Sequence, residues 1–147
     1  MVIWTFVDQQ IYDKMASLKD YTTICNSAPS EFLAILTLRH AGTIAERNLE
    51  IIRGNLDQLD QFFESHTRMF AWKRPKAGSI AFPQLLQGSV DVLCADLVKQ
   101  AGVLLLPGTL YGPNYNAFRI GFGRKNLPQA LDRFDAYMKK IQTYNQA

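Results

Sequence analysis

The sequence is poor in cysteine, histidine and long apolar runs, and each scarcity excludes a class of protein. The two cysteines, Cys25 and Cys94, form no Cys-x-x-Cys pair, and the two histidines, His40 and His66, lie far apart in sequence. These residues do not have the ligand spacing of a zinc site, so we expect no metal. No apolar run approaches the ~20 residues of a membrane-spanning helix, and no basic region precedes the first apolar residues. We therefore expect no membrane partner, no secretory signal and a cytoplasmic location.

A strong charge of one sign is also missing. The net charge is +3, with 16 basic and 13 acidic residues interspersed along the chain. The densest basic cluster, Arg68 to Lys76, surrounds Pro75 and is not accompanied by a basic stripe or a known binding module. We interpret it as a solvated connector in preference to a nucleic-acid patch, and expect no nucleic-acid partner. The 147 residues, 48% of them apolar, are enough for one core of ordinary size.

The first half of the chain predicts one strand and three helices. Residues 2–7 are β-branched, aromatic and almost wholly apolar, which is typical of a strand buried on both faces, yet no neighbouring strand follows. Asp8 is a predicted N-cap for the first helix, and Ser30 for the second. A longer amphipathic helix is predicted from about Thr43 to Arg68. Gly54 within it weakens the helix by ~1 kcal/mol relative to alanine, for no reason visible in the sequence.

The second half predicts a small sheet covered by helices. A strand is expected over residues 79–86, a helix from the Ser89 cap to Gly102, and strands over residues 103–106 and 117–123. A last helix follows Asn126, with apolar residues at alternating spacings of four and three. This order indicates an α+β fold with a small antiparallel sheet, in which the first strand has no place.

Arg119 is the residue that suggests chemistry. In a strand, alternate side chains face opposite ways, so Phe118, Ile120 and Phe122 point to the core while Arg119 lies beside Gly121 and Gly123. A fixed guanidinium next to residues without side chains suits a small carboxylate, which it can bind through two parallel hydrogen bonds. The alternative is an exposed arginine paired with a nearby acid, worth at most ~1 kcal/mol. The pattern alone leaves both open.

The chain resembles the C-terminal part of class I/II aminotransferases, the fold-type-I enzymes that use pyridoxal phosphate. Five segments carry the resemblance in the family's order: Trp4 with residues 8–12, residues 19–31, Pro75 with Gly78 and Phe82, Pro107-Gly108 with Tyr111-Gly112, and Phe118-Arg119-Ile120. The third looks like the family's Pro-x-Gly-Gly-x-Phe strand and the fourth like its Pro-Gly…Phe-Gly turn. The last looks like the strand whose arginine binds the substrate α-carboxylate, so the resemblance assigns that role to Arg119.

The departures from the family pattern bear on function. The lysine that holds the cofactor in the family has no counterpart among the lysines of this chain. The arginine expected just before the tryptophan is also missing, because Met1-Val2-Ile3 stands there. We therefore assign no catalytic residue and no cofactor-binding residue. Pyridoxal 5'-phosphate is implied for the complete family enzyme, but covalent attachment to this chain is not expected.

The resemblance also implies a domain organisation and a function. Residues 1–42 would be a remnant of the large cofactor-binding domain, residues 43–74 a linking helix, and residues 75–147 the small C-terminal domain. The expected function is amino-group transfer from an amino acid to a keto acid in a complete enzyme, in truncated and inactive form here. One half of a split enzyme and a non-catalytic interaction module are the alternatives. The implied partners are a small amino or keto acid and a second chain, either another copy or a complementary N-terminal half.

Overall fold

The computed structural model describes residues 8–23 and 25–144. The chain divides into two compact units, and the boundary in sequence lies between Ala45 and Glu46. The strand predicted over residues 2–7 lies outside the described residues. The assignment of residues 1–42 to a large-domain remnant stays a prediction. None of the described helices is both long and apolar enough to cross a bilayer.

The first two helices that the structure describes belong to the first unit and bury no residue completely. Helix α1 spans Gln9–Thr22, and the Asp8 carboxylate caps it by accepting hydrogen bonds from the backbone N–H groups of Gln10 and Ile11 at 2.8 and 3.2 Å. This cap confirms the sequence prediction. Helix α2 spans Ala28–Arg39, and its N-cap residue is Ser27 instead of the predicted Ser30. A proline stands in its first turn, where the missing N–H of proline is not needed.

Helix α3 spans Ala41–Ser65, close to the predicted long helix but one turn shorter at its end. It does not continue through the predicted linking segment to residue 74, since residues 66–69 form turns and Phe70–Ala71 is a strand, β1. From Asn55 onward the helix buries one face, and Leu59 and Phe63 are fully covered. This half of the helix is therefore a wall of the core of the second unit.

In the part of the chain that the structure describes, five short strands form two antiparallel sheets, which confirms the α+β prediction and refines it. The strands after β1 are β2 (Ile80–Ala81), β3 (Gln84–Leu85), β4 (Leu106–Pro107) and β5 (Phe118–Gly121). One sheet pairs β1 with β3, and the other has the order β2-β5-β4, so β5 is central. The single strand predicted over residues 79–86 is thus two strands in different sheets. Pro83, which has no N–H for a ladder, lies between them.

Helices α4 (Val90–Ala101) and α5 (Leu127–Tyr144) complete the second unit. Gly102 ends α4 in the left-handed conformation at φ 64°, as its position in the sequence predicted. Ser89 occupies the N-cap position of α4, as predicted, but its side chain makes no capping hydrogen bond. The Asn116 side-chain oxygen accepts the hydrogen bond of the Val90 N–H at 2.9 Å instead.

The segment after α3 is tied back to that helix. The Trp72 indole N–H donates to the Asp60 carboxylate at 2.6 Å, and the indole ring stacks on Phe63 with centroids 4.5 Å apart. Arg74 forms ion pairs with Asp60 and with Asp57, the latter at 2.9 Å. Part of the basic cluster that the sequence placed in a connector therefore anchors that connector to α3.

Candidate functional site

The structure places Arg119 at the centre of the three-stranded sheet. Phe118, Ile120 and Phe122 have exposed fractions of 0%, 4% and 0%, whereas Arg119 is half-buried and Gly121 is exposed. The predicted alternation is therefore confirmed, with the aromatic side chains in the core and the arginine on the opposite face. Leu106 of β4 is the cross-strand neighbour of Arg119.

The Arg119 guanidinium has no hydrogen-bond or ion-pair partner among residues 8–23 and 25–144, where four ion pairs join other side chains. The alternative considered from the sequence, an arginine paired within the fold, is not what the described residues form. A half-buried cation without a counter-charge is a favourable position for an anionic ligand, because part of its hydration is already lost. The carboxylate-binding role itself stays a prediction.

Gly121 and Gly123 leave the surface beside Arg119 open, because they have no side chains. A Cβ atom added at Gly121 would meet no atom closer than the Ser79 carbonyl oxygen at 3.9 Å. At Gly123 the Ser79 side chain would lie 3.4 Å away, which is tight but not a clash. The space next to the guanidinium is therefore empty at Gly121 and narrows towards Gly123.

A cleft of about 590 Å³ also reaches Arg119. It lies between residues 102–106, strand β5 and the first turns of α5, and its walls are mostly leucine and other apolar side chains. Arg124 is a second basic residue in the lining, and no acidic residue takes part. The cleft thus combines positive charge with an apolar wall, which suits a ligand with a carboxylate and an apolar body.

Asn55 holds the end of β5 in place, and the sequence analysis did not identify it. Its side-chain amide is 4% exposed and donates hydrogen bonds to the carbonyl oxygens of Phe122 and Arg124, both at 2.8 Å. Both carbonyls follow the end of β5. The Phe122 carbonyl has no other partner among the described residues, whereas the Arg124 carbonyl also accepts from the Leu127 N–H at 3.3 Å. A detectable signal existed: Asn55 is a polar residue on the apolar stripe of α3, between Ile52 and Leu59.

The turn after β4 is fixed on two sides. The Asn116 amide donates to the carbonyls of Leu85 and Gly88 at 2.9 and 3.1 Å, while the Thr109 hydroxyl donates to Asp91 at 2.5 Å. Gly108 allows close packing, because a Cβ there would come within 2.6 Å of the Ala117 carbonyl oxygen. The turn is therefore held next to β5 by hydrogen bonds and close packing.

Two other groups of titratable residues serve the fold. His66 is 3% exposed and its Nε2 lies 2.8 Å from Asp135, which also pairs with Lys139 at 2.6 Å. Burial raises the pKa of Cys94 to about 11, with a further contribution from Asp91, so its thiol is inert. Within the described part of the chain, no cluster of three or more histidine, cysteine or acidic residues could hold a metal.

Comparison with known proteins identifies relatives of one kind. No family model matches the chain. Capreomycidine synthase from Streptomyces vinaceus is 28% identical over 131 residues, which are 87% of this chain and 33% of the synthase. A pyridoxal-phosphate-dependent aminotransferase from Streptococcus suis has a TM-score of 0.79 and 29% identity, covering 90% of this chain and 36% of that one. The pyridoxal-phosphate-dependent cyclase OrfR has a TM-score of 0.74 and 27% identity, covering 85% and 35%.

The resemblance to the C-terminal part of a pyridoxal-phosphate-dependent aminotransferase is thereby confirmed, and the chain spans about a third of the length of these relatives. The residues present do not fit covalent attachment of the cofactor. Every lysine of the chain is exposed, and no lysine lines the cleft that contains Arg119. A lysine that forms such a bond is held in a site that lowers its pKa by burial or a neighbouring charge.

Proposed function

Since the chain shares its fold with pyridoxal-phosphate-dependent aminotransferases and cyclases, we propose that it supplies the carboxylate-binding part of an enzyme of this family. The complete enzyme transfers an amino group between an amino acid and a keto acid, and Arg119 anchors the α-carboxylate of either. The observation that carries the proposal is the half-buried Arg119 guanidinium, which has no partner among the described residues and lies beside the open surface at Gly121. A monodentate ammonium could not reproduce its two-pronged contact.

The lysine chemistry of the complete enzyme comes from a part of the fold that this chain does not contain. When bound, the cofactor would serve as the electron sink for bond breaking at the substrate's α-carbon. This chain's own task is to bind and orient the carboxylate. Alone, it does not transfer amino groups. A cytoplasmic location belongs to the same proposal and is supported by the free thiols of Cys25 and Cys94.

The proposed binding can be tested on the chain by itself. In a nuclear magnetic resonance titration with acetate, the amide signals of Gly121 and Gly123 should shift and saturate. The shift should disappear in Arg119→Gln and persist in part in Arg119→Lys, because lysine retains the positive charge but lacks the planar guanidinium that makes two parallel hydrogen bonds. Arg68→Gln changes an exposed arginine elsewhere and is the matched control. Acetate shifts that survive in Arg119→Gln would refute the assignment.

The exposed apolar residues of the first unit support a complementary partner. Helix α2 buries no residue, and its Phe32, Leu33 and Leu38 are 62%, 61% and 66% exposed. Contiguous exposed apolar surface marks an interaction site. We propose that it is covered by the part of the fold that carries the lysine, whether on the same polypeptide or on a separate one.

A coding segment that carries the family's lysine and lies next to this one is the expected source of that partner. Its product should form a one-to-one complex with this chain in sedimentation experiments, and Leu38→Asp should weaken the complex. Leu104→Asp introduces the same charge at another exposed leucine and is the control. If no such segment exists and the chain instead forms a stable dimer through α2, the alternative of a non-catalytic module is favoured.

A further inference from the structure

Three aromatic side chains form an exposed cluster in the second unit, which we call the aromatic rim: Phe82, Tyr111 and Tyr115. The Phe82 ring lies 5.3 Å from Tyr111 in an edge-to-face arrangement and 5.7 Å from Tyr115, centroid to centroid. Their exposed fractions are 36%, 57% and 38%. Large rings are normally buried, so three rings that contact one another and remain open to solvent need a reason beyond the core.

The aromatic rim begins directly across the sheet from Arg119. Strand β2 pairs with β5 in the register Ile80↔Gly121 and Ala81↔Ile120. The pairing extends one step further, because the Phe118 N–H donates to the Pro83 carbonyl at 3.1 Å. Phe82 is therefore the cross-strand neighbour of Arg119, and such neighbours have Cβ atoms about 4.5–5.5 Å apart.

Burial shows that the two residues share a face. Ala81 and Pro83 are buried, whereas Ile80 and Phe82 are exposed, so the alternation along this segment puts Phe82 on the side away from the core. Arg119 lies on the same side, opposite the buried Phe118 and Ile120. The guanidinium and the aromatic rim are thus parts of one continuous surface.

The backbone beneath the two tyrosines is held in a defined turn. The Tyr111 N–H donates to the Gly108 carbonyl at 2.8 Å, and the Tyr115 N–H donates to the Gly112 carbonyl at 3.0 Å. The Gly108 N–H in turn donates to the Ala117 carbonyl at 2.6 Å, which closes the loop onto the start of β5. Since the turn is internally bonded, a ligand that contacts the rings bears little of the cost of ordering them.

We propose that the aromatic rim binds the side chain of the acid whose carboxylate Arg119 holds, and that it selects aromatic amino acids and keto acids. This inference rests on the proposed carboxylate site. Ring-to-ring contacts favour an aromatic side chain over an aliphatic one of equal size. A cationic side chain would be repelled by Arg119, and neither the rim nor the lining of the adjoining cleft contains a carboxylate to compensate. An acidic side chain gains nothing from the negative ring faces.

The test compares four carboxylates on the isolated chain by the same amide titration: acetate, 3-phenylpropanoate, 3-cyclohexylpropanoate and 4-guanidinobutanoate. We expect 3-phenylpropanoate to bind about 2- to 13-fold tighter than its cyclohexyl counterpart, the ratio that an aromatic contact of about 0.5–1.5 kcal/mol gives. It should also bind tighter than acetate and than the guanidino acid. Tyr115→Ala and Tyr111→Ala should each reduce the aromatic preference several-fold and leave the acetate affinity unchanged.

Tyr12→Ala removes an exposed tyrosine from the first unit and is the control for the two tyrosine variants. If acetate binds through Arg119 but the four acids bind equally, the rim has no role and this inference is overturned while the carboxylate site stands. Tighter binding of the guanidino acid would also overturn it. So would a preference that is lost in Leu104→Ala and kept in both tyrosine variants, because the side chain would then lie in the cleft. If no acid binds at Arg119, the proposed function fails and this inference fails with it.

Discussion

Asn55 provides the sharpest test of how the fold positions Arg119. Its side-chain amide donates two hydrogen bonds at 2.8 Å to backbone carbonyls just after β5, the strand that contains Arg119. The hydrogen bond to Phe122 is buried. Replacing Asn55 by alanine removes both donors. The Phe122 carbonyl is then left without a partner among the described residues, whereas the Arg124 carbonyl still accepts from the Leu127 N–H at 3.3 Å. The position is 4% exposed, so water cannot simply take the place of the amide.

The expected loss follows from these two bonds. A buried hydrogen bond contributes about 1 kcal/mol net, and a buried acceptor left unsatisfied costs about 1–3 kcal/mol. Alanine is a better helix former than asparagine by about 0.5 kcal/mol, which offsets part of the loss. We expect Asn55→Ala to lower the free energy of unfolding by about 2 kcal/mol. With urea slopes of about 1–3 kcal/mol per molar, the midpoint should fall by about 1 M.

Urea unfolding followed by circular dichroism and by tryptophan fluorescence would measure this loss. A Trp4→Phe background leaves Trp72, which stacks on Phe63, as the fluorescent reporter of the second unit. Asn48→Ala is the matched control, because it makes the same substitution two turns earlier in α3 at an exposed position. It carries the same gain in helix propensity without the two buried bonds.

The difference between the two variants isolates the contribution of the Asn55 amide. A difference below about 0.5 kcal/mol would refute the view that these bonds hold the end of β5. Asn55→Asp adds a second check, because it keeps the shape but replaces a donor by an acceptor that faces two carbonyls. At neutral pH it should be less stable than Asn55→Ala, since it also buries a charge.

Three further predictions concern other residues of the chain. Gly54→Ala should stabilise the chain by about 0.5–1 kcal/mol in the same urea assay, because the residue lies inside a helix and a Cβ there meets no atom within 4 Å. A loss of stability would mean that the fold requires a glycine at this position. In the native state, Cys25 should react with iodoacetamide at pH 8 while Cys94, with its pKa raised to about 11, should react only on unfolding. Burial opposes ionisation of Asp135, but hydrogen bonds from Lys139 and His66 outweigh burial and lower the pKa of this carboxyl in the folded state. The ionised Asp135 therefore stabilises the fold above its unfolded-state pKa, and this stabilisation is lost as the pH falls through its folded-state pKa. Asp135→Asn should therefore be less stable than wild type at pH 7 and approach it on acidification; a constant difference between the two at all pH values would contradict this assignment.

Local signals predicted the helices well. The Asp8 cap, the C-terminal glycine at position 102 and the apolar spacing of α5 each involve residues within a few positions of one another. Helix geometry relates such residues directly, so their pattern is visible in the sequence. One detail was not visible locally: Ser89 is the N-cap residue of α4, but the hydrogen bond to the Val90 N–H comes from the distant Asn116.

The strands were harder to predict because they are very short. Four of the five have two residues, and no periodicity can be recognised over that length. β1 was not predicted, since Phe70–Ala71 follows a helix without a turn signal, and the division of residues 79–86 between two sheets depends on what each half pairs with. Pro83 indicated an interruption but not that the strand changes sheets there.

The residue pattern was enough to predict the face on which Arg119 lies and to recognise the family whose arginine it resembles. The alternation of Phe118, Ile120 and Phe122 is enough for the first, because successive side chains in a strand point in opposite directions. The setting of that arginine, in contrast, became visible only once the helices and strands were packed. Asn55 reaches carbonyls 67 and 69 positions away, and the aromatic rim joins the chain before β3 to the turn after β4. Contacts between residues so far apart depend on how the helices and strands pack, and no local pattern in the sequence encodes them.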